Sequence, residues 1–257
     1  MKLKMYQVDA FANHRFEGNP AAVCLLDHWL PEEVMQSIAQ ENNLSETAFI
    51  VNNGSGFDIR WFTPVHEVDL CGHATLAAAK VLLQQGPSAM MSFESRSGTL
   101  TVAQRDQWLE MDFPAQMPAA CSTPRTISEA FGETPKQCLK GEDYIVEFES
   151  AETVLKVRPS LEKLKQLDLR GVAITARSNE YDFVTRFFAP KYGLNEDPVT
   201  GSAFTQLAPY WAGVLNKSAL RARQVSQRGG DVCCEVTGNR VKIAGKAVVY
   251  LKGTIEI

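Results

Sequence analysis

The sequence predicts an α/β protein of two similar halves, each a curved sheet wrapped around one apolar helix, and three observations lead there. The first is a repeated phrase. Arg60-Trp61-Phe62-Thr63-Pro64 leads through a polar turn with Asp69 into Cys71-Gly72-His73-Ala74, and Arg186-Phe187-Phe188-Ala189-Pro190 leads through Asp197 into Thr200-Gly201-Ser202-Ala203. The arginines and the glycines recur at an offset close to half of the 257-residue chain, as does Ser95–Gly98 against Gln227–Gly230, which is the mark of an internal duplication. The second is the pair of runs that follow, Gly72–Leu83 and Phe204–Leu215. They are too apolar all round for a surface helix and must be enclosed. The third is the remainder, short alternating runs bounded by turn residues, which read as strands. The length is generous for one core and comfortable for two, so the halves are drawn as residues 1–118 and 119–257, with the last strand able to cross back to the first half.

Taken in order, Lys4–Ala10 alternates as a strand, Asn13–Asn19 is a polar loop, and Asn19–Leu26 resumes an extended apolar segment. Pro31–Asn42 has helical character, with Pro31 early, two glutamates in the first turn and Val34, Ile38 and Ala39 on one side. Leu44–Val51 is the next strand and carries a carboxylate, Glu46, where its apolar run begins. Phe57–Phe62 is a strand ending before Pro64. Met90–Phe93, Thr99–Val102 and Trp108–Phe113 follow the first apolar helix as strands, and a Pro-rich crossing, Phe113–Pro124, leads onward. Thr126–Phe131 is a short helix closed by Gly132, Asp143–Glu149 a strand, and Ser160–Leu167 a helix with Leu161, Leu164 and Leu167 inward. Gly171–Ala176 and Asp182–Phe188 are strands entering the second repeated loop, and 222–257 alternates as strand and turn, with turns at Gly238-Asn239 and Gly245-Lys246.

Composition narrows the function classes. Net charge of −4, with no basic run, gives no footprint for nucleic acid or an anionic membrane. No stretch approaches the roughly 18 apolar residues of a membrane span, and the opening residues alternate like a strand, so a cytoplasmic protein is expected. The six cysteines show no zinc-ligand spacing, and no metal is expected. Cys233 and Cys234 alternate across a strand, while Cys71 lies in a loop at a helix start. The first N–H groups of a helix lack internal partners and carry the positive end of its dipole, so Gly72 and Gly201 mark two places able to hold a carboxylate. Paired in one cleft, they would form one anion site.

Four phrases, Glu17–Val23, Leu44–Phe49, Arg60–Ala77 and Asn195–Ala203, resemble the phenazine-biosynthesis PhzF family, in matching order along essentially the whole chain. The resemblance implies the diaminopimelate-epimerase-like fold, two α/β barrels each around a central helix, and cofactor-independent isomerisation by moving a carbon-bound proton on a small amino or hydroxy carboxylic acid. It implies Glu46 as general acid and base, His73 and Asp197 as further catalytic groups, Gly72, Gly201 and Ser202 as substrate-binding groups, and a homodimer. The chemistry is coherent: such a proton needs a base in the cleft, a pKa raised by burial, and donors where charge develops.

Two departures bear on mechanism. In the related epimerases both helix-end phrases begin with cysteine, whereas here Cys71 is matched by Thr200, which has no comparable acidity and removes a two-thiol mechanism. Phe204 stands where many members have histidine, making the entrance or the helix face more apolar. The alternatives are a Cys71-assisted epimerase or racemase and a catalytically silent small-acid-binding or scaffold protein. Arg60 and Arg186 are read as structural anchors, and His14, His28 and His66 as surface residues.

Overall fold

The computed structural model describes residues 1–86 and 88–257. The chain forms two compact units, Met1–Asp112 together with Ala244–Ile257, and Phe113–Ile243. Residues 113–118 therefore lie with the second unit and the last strand with the first.

The first unit contains β1 (Lys2–Ala10), β2 (Asn19–Leu26), α1 (Glu32–Asn42), β3 (Glu46–Asn52), β4 (Phe57–Phe62), the two-residue β5 (Glu67–Val68), α2 (Gly72–Leu83), β6 (Met90–Ser95), β7 (Gly98–Arg105) and most of β8 (Trp108–Pro114). The second contains β9 (Ala119–Ala120), α3 (Arg125–Phe131), β10 (Gln137–Lys140), β11 (Tyr144–Glu147), α4 (Ala151–Lys156), α5 (Leu161–Leu164), β12 (Val172–Arg177), β13 (Phe183–Ala189), β14 (Leu194–Asp197), α6 (Phe204–Leu215), β15 (Ala219–Gln224), β16 (Gly230–Thr237) and most of β17 (Arg240–Gly245). The final strand, β18 (Ala247–Glu256), returns to pair antiparallel with β1.

The duplication is visible in the pairing. β1 and β2 are antiparallel, β2 and β3 parallel, β3 and β4 antiparallel, β4 and β6 parallel, and β6 and β7 antiparallel. β10 to β13, β15 and β16 run through the same alternation in the same order. In both units a very short strand, β5 or β14, pairs antiparallel with the strand that carries the repeated arginine.

Each central helix is enclosed. All but a few residues of α2 are buried, and the helix packs on β1, β2, β3 and β18. Helix α6 buries Phe204 to Trp211; Trp211 stacks on Phe183 of β13 at 5.4 Å, and its indole N–H donates to Thr175 Oγ1 of β12 at 3.0 Å. Small and apolar side chains on every side are what allow these helices to sit against a curved sheet. Pro209 lies inside α6, which a local reading would take as a break. The carbonyl that its missing N–H leaves free is that of Thr205, and the Gln116 N–H donates to it at 2.9 Å.

On the outer face of the first sheet, α1 packs Met35, Ile38 and Ala39 over Phe49, Val51 and Phe62. On the second, α3, α4 and α5 cover Val146, Ile174 and Phe188. Gly132 closes α3 at φ +67°, in the left-handed region expected of it. The strands β10 and β14 and the helix α4 were not anticipated from sequence, and the helix expected over Ser160–Leu167 is regular only over Leu161–Leu164. These pieces are too short to show a period; they form because the sheet and its outer layer supply partners. Among the described residues no helix is long and apolar enough to cross a membrane.

Candidate active site

In the first unit, three of the expected residues converge. Glu46 is the first residue of β3, fixed by parallel pairing with Ala21. Cys71 occupies the N-cap position of α2 in extended conformation, so Gly72 and His73 open the helix. Its carbonyl accepts from both the backbone N–H of Thr75 at 3.1 Å and the Thr75 hydroxyl at 2.7 Å, which locks the first turn. His73 Nε2 lies 3.0 Å from Glu46 Oε2, and His73 Nδ1 lies 3.6 Å from Cys71 Sγ. The imidazole thus sits between a carboxylate and a thiol, with all three side chains largely shielded from water.

The Glu46–His73 contact is short but misaligned for a hydrogen bond, and neither facing atom has a hydrogen-bond partner. Leaving a buried polar atom unpaired costs about 1–3 kcal/mol, so such atoms in a folded chain point to a functional role. Burial by itself would lower the pKa of His73, yet the net displacement is well above 6.5, because negative charge from its two neighbours favours the imidazolium. Burial and the Glu46 charge push the Cys71 thiol upward, opposed by His73 and the Ala74 N–H. Cys71, the larger influence, and Glu46 together therefore favour the imidazolium.

The donor atoms of Glu46, Cys71 and His73 lie within 4.8 Å of one another, a set that could in principle hold a soft divalent ion. One ring nitrogen faces each neighbour.

In the second unit Asp197 ends β14 and is buried. The Thr200 hydroxyl donates to its Oδ2 at 2.5 Å, so the residue standing where a second cysteine was considered is already engaged. Gln224, fully buried, braces the loop from β15: its amide nitrogen donates to the Asp197 carbonyl at 2.7 Å and its Oε1 accepts from Thr200 N–H at 2.9 Å. Gly201–Ala203 forms a 3-10 turn leading into α6, so this helix start is tighter than the direct entry of α2 at Gly72. The Ser202 hydroxyl accepts from Arg170 Nη2 at 3.0 Å. Because a guanidinium only donates, the serine proton is left to be given elsewhere. Arg170 is itself held by both oxygens of the buried Asp143, at 2.6 and 3.0 Å, and Gln206 also donates to that carboxylate.

The repeated arginines form matching clamps. Arg60 pairs with both oxygens of Glu67 at 2.7 and 2.6 Å, and Arg186 with both of Glu196 at 2.7 and 2.9 Å. Each guanidinium lies over the Phe two residues on, Phe62 or Phe188. The acid shared by the repeat is therefore this glutamate. Strand register places Val68 opposite Trp61 and Asp197 opposite Phe187, so Asp197 corresponds to Val68 and not to Asp69, which is exposed. The signal was in the sequence, since Glu67 and Glu196 stand at equal spacing before their glycines. Arg170 and Gln224 carried no such signal. Phe204 is fully enclosed against Phe183, on a helix face and not at an entrance. His14, His28 and His66 are exposed.

Known proteins match this chain along its full length. Two uncharacterized isomerases of Pseudomonas aeruginosa are 51% and 50% identical, each alignment spanning 100% of both chains. The crystal structure of a phenazine biosynthesis protein of the PhzF family from Enterococcus faecalis matches with a TM-score of 0.98 and 46% identity over 100% of both chains. The architecture is thus the diaminopimelate-epimerase-like α/β fold with two pseudo-symmetric units, and the naming of full-length homologues supports an isomerase role in general. Residues 8–253 match the model of the PhzC-PhzF family, described as phenazine biosynthesis-like protein, and to that family the chain belongs.

Proposed function

We propose that this protein is a cofactor-independent isomerase that moves a carbon-bound proton on a small amino or hydroxy carboxylic acid. Glu46 acts as the general acid and base: its carboxylate takes the proton from one carbon, the electron pair delocalises into the adjoining unsaturated system, and the same carboxyl returns the proton at another carbon. His73, as imidazolium, balances negative charge as it develops. The Gly72 N–H at the start of α2 is assigned to a substrate carboxylate, and Gly201 and Ser202 to further acceptor oxygens. Asp197 is assigned to the substrate's amino or hydroxyl group.

The observation that carries this reading is the shielded Glu46–His73 pair, 3.0 Å apart at the first turn of an enclosed helix. The Cys71 reading fares worse, because a buried thiol whose pKa is raised is a poor base at neutral pH. The test is hydrogen–deuterium exchange followed by NMR across a panel of small unsaturated amino and hydroxy acids. A substrate should exchange its carbon-bound hydrogen with the wild type, and Glu46→Gln should slow this by about 10²–10⁴-fold. Undiminished exchange in a folded Glu46→Gln variant, or no exchange by the wild type with any compound, would refute the assignment.

A further inference from the structure

Three buried side-chain nitrogen or oxygen atoms lack a hydrogen-bond partner among the described residues: Glu46 Oε2, His73 Nε2 and Trp61 Nε1. Two belong to the pair described above. Trp61, in the middle of β4, is 1% exposed. Register puts Trp61 opposite Ala48, two residues beyond Glu46 on β3, so Trp61 and Glu46 are diagonal neighbours on one sheet face. At that spacing an indole and a carboxylate side chain come within reach of each other. The alternate residues Phe49, Val51 and Phe62 belong to the cluster under α1, which leaves Ala48 and Trp61 on the opposite face. Beyond Trp61 the ladder passes to Val68, from which the chain enters Cys71 and Gly72.

The fold itself does not call for an indole at this place. In the second unit the corresponding residue is Phe187, which offers no donor, and the strand pairs in the same way. Nor is an unpaired indole N–H the habit of this chain, since Trp211 donates to Thr175 at 3.0 Å. A donor that folding leaves unsatisfied, on the same sheet face as Glu46 with its own unsatisfied oxygen, is accounted for by a ligand that completes it.

We propose that the Trp61 indole N–H is a substrate-binding donor, giving a hydrogen bond to a carboxylate, carbonyl or hydroxyl oxygen of the acid on which Glu46 acts. The inference rests on that site being the substrate site, and it makes Trp61 a determinant of which acids are accepted: an analogue without an acceptor oxygen at this position is discriminated against.

The experiment is 1H–15N NMR of protein labelled at the tryptophan indoles, with the Trp61 signal assigned by Trp61→Phe and Trp211 as internal control. Benzoate, salicylate and lactate serve as probes. The expected result is a Trp61 N–H signal upfield of that of Trp211 in the protein alone, moving downfield with at least one probe while the Trp211 signal stays. Trp61→Phe, which reproduces the residue of the second unit, should fold normally and weaken that probe about tenfold. A Trp61 signal unmoved by every probe, or unchanged affinity in Trp61→Phe, overturns the proposal. The same titration on Glu46→Gln separates the two readings: a persisting Trp61 shift supports the donor whatever becomes of proton exchange, and exchange that depends on Glu46 without any Trp61 shift removes the donor alone.

Discussion

Replacing the repeated arginines by methionine should harm the two units unequally, although the sequence presents them as equivalents. Arg186 is 5% exposed; besides its two bonds to Glu196 it donates to the carbonyls of Val154 and Val157 at 3.0 and 2.8 Å. Arg186→Met removes the guanidinium donor from the Val154 carbonyl, leaves the Val157 carbonyl only the long contact from Arg158 Nη1 at 3.4 Å, and leaves a carboxylate that is only partly hydrated. Breaking a buried pair costs about 3–5 kcal/mol, and the residual exposure of Glu196 brings the expectation to about 3 kcal/mol. Among the described residues Arg60 donates to Glu67 and the exposed Glu32 and to no backbone carbonyl, and when it is lost Arg96 remains 2.8 Å from Glu67. Arg60→Met should therefore cost only about 1–2 kcal/mol. The assay is urea unfolding of both variants with thermal melts alongside, where each kcal/mol corresponds to about 2–6 °C. Equal losses, or a larger loss from Arg60→Met, would refute the reasoning. Because Glu196 adjoins Asp197, Arg186→Met should also weaken small-acid binding more than Arg60→Met does.

The raised pKa of His73 makes stability depend on pH in a definite direction. The folded chain binds this proton more tightly than the unfolded one, so the contribution is complete below about 6.5 and is lost as pH rises through the folded pKa; His73→Gln should flatten that fall in urea titrations, and a steeper fall in the variant would contradict the sign. In Glu46→Gln one of the two charges that raise the His73 pKa is gone while burial and Cys71 remain, so NMR should find His73 titrating lower than in the wild type. Cys71→Ser should keep proton exchange within about tenfold of wild type, and iodoacetamide should react slowly with Cys71 at neutral pH; rapid inactivation by alkylation would revive the thiol mechanism. Thr200→Val removes the hydroxyl that holds Asp197 Oδ2, and should weaken benzoate binding measured by calorimetry and cost about 1–3 kcal/mol in urea unfolding.

By itself the sequence determined the class of fold, the internal repeat and the candidate groups of the site. Periodicity marked α2 and α6 as enclosed helices, because twelve-residue runs without a polar face cannot lie at a surface. The repeated Arg, Pro and Gly positions marked the two loops, and the phrase around Glu46 supplied the carboxylate. Only tertiary structure decided the rest, since each remaining fact depends on which atoms meet from distant parts of the chain. Pro209 is tolerated because Gln116 reaches the carbonyl it leaves free. Asp197 takes the place of Val68, and not of Asp69, because strand register counts residues from the ladder and not from the glycine. His73 stands between Cys71 and Glu46 only because the first turn of α2 abuts the start of β3. Trp61 is set apart from Phe187 by a single unpaired N–H, which becomes visible once every buried donor has been matched to an acceptor.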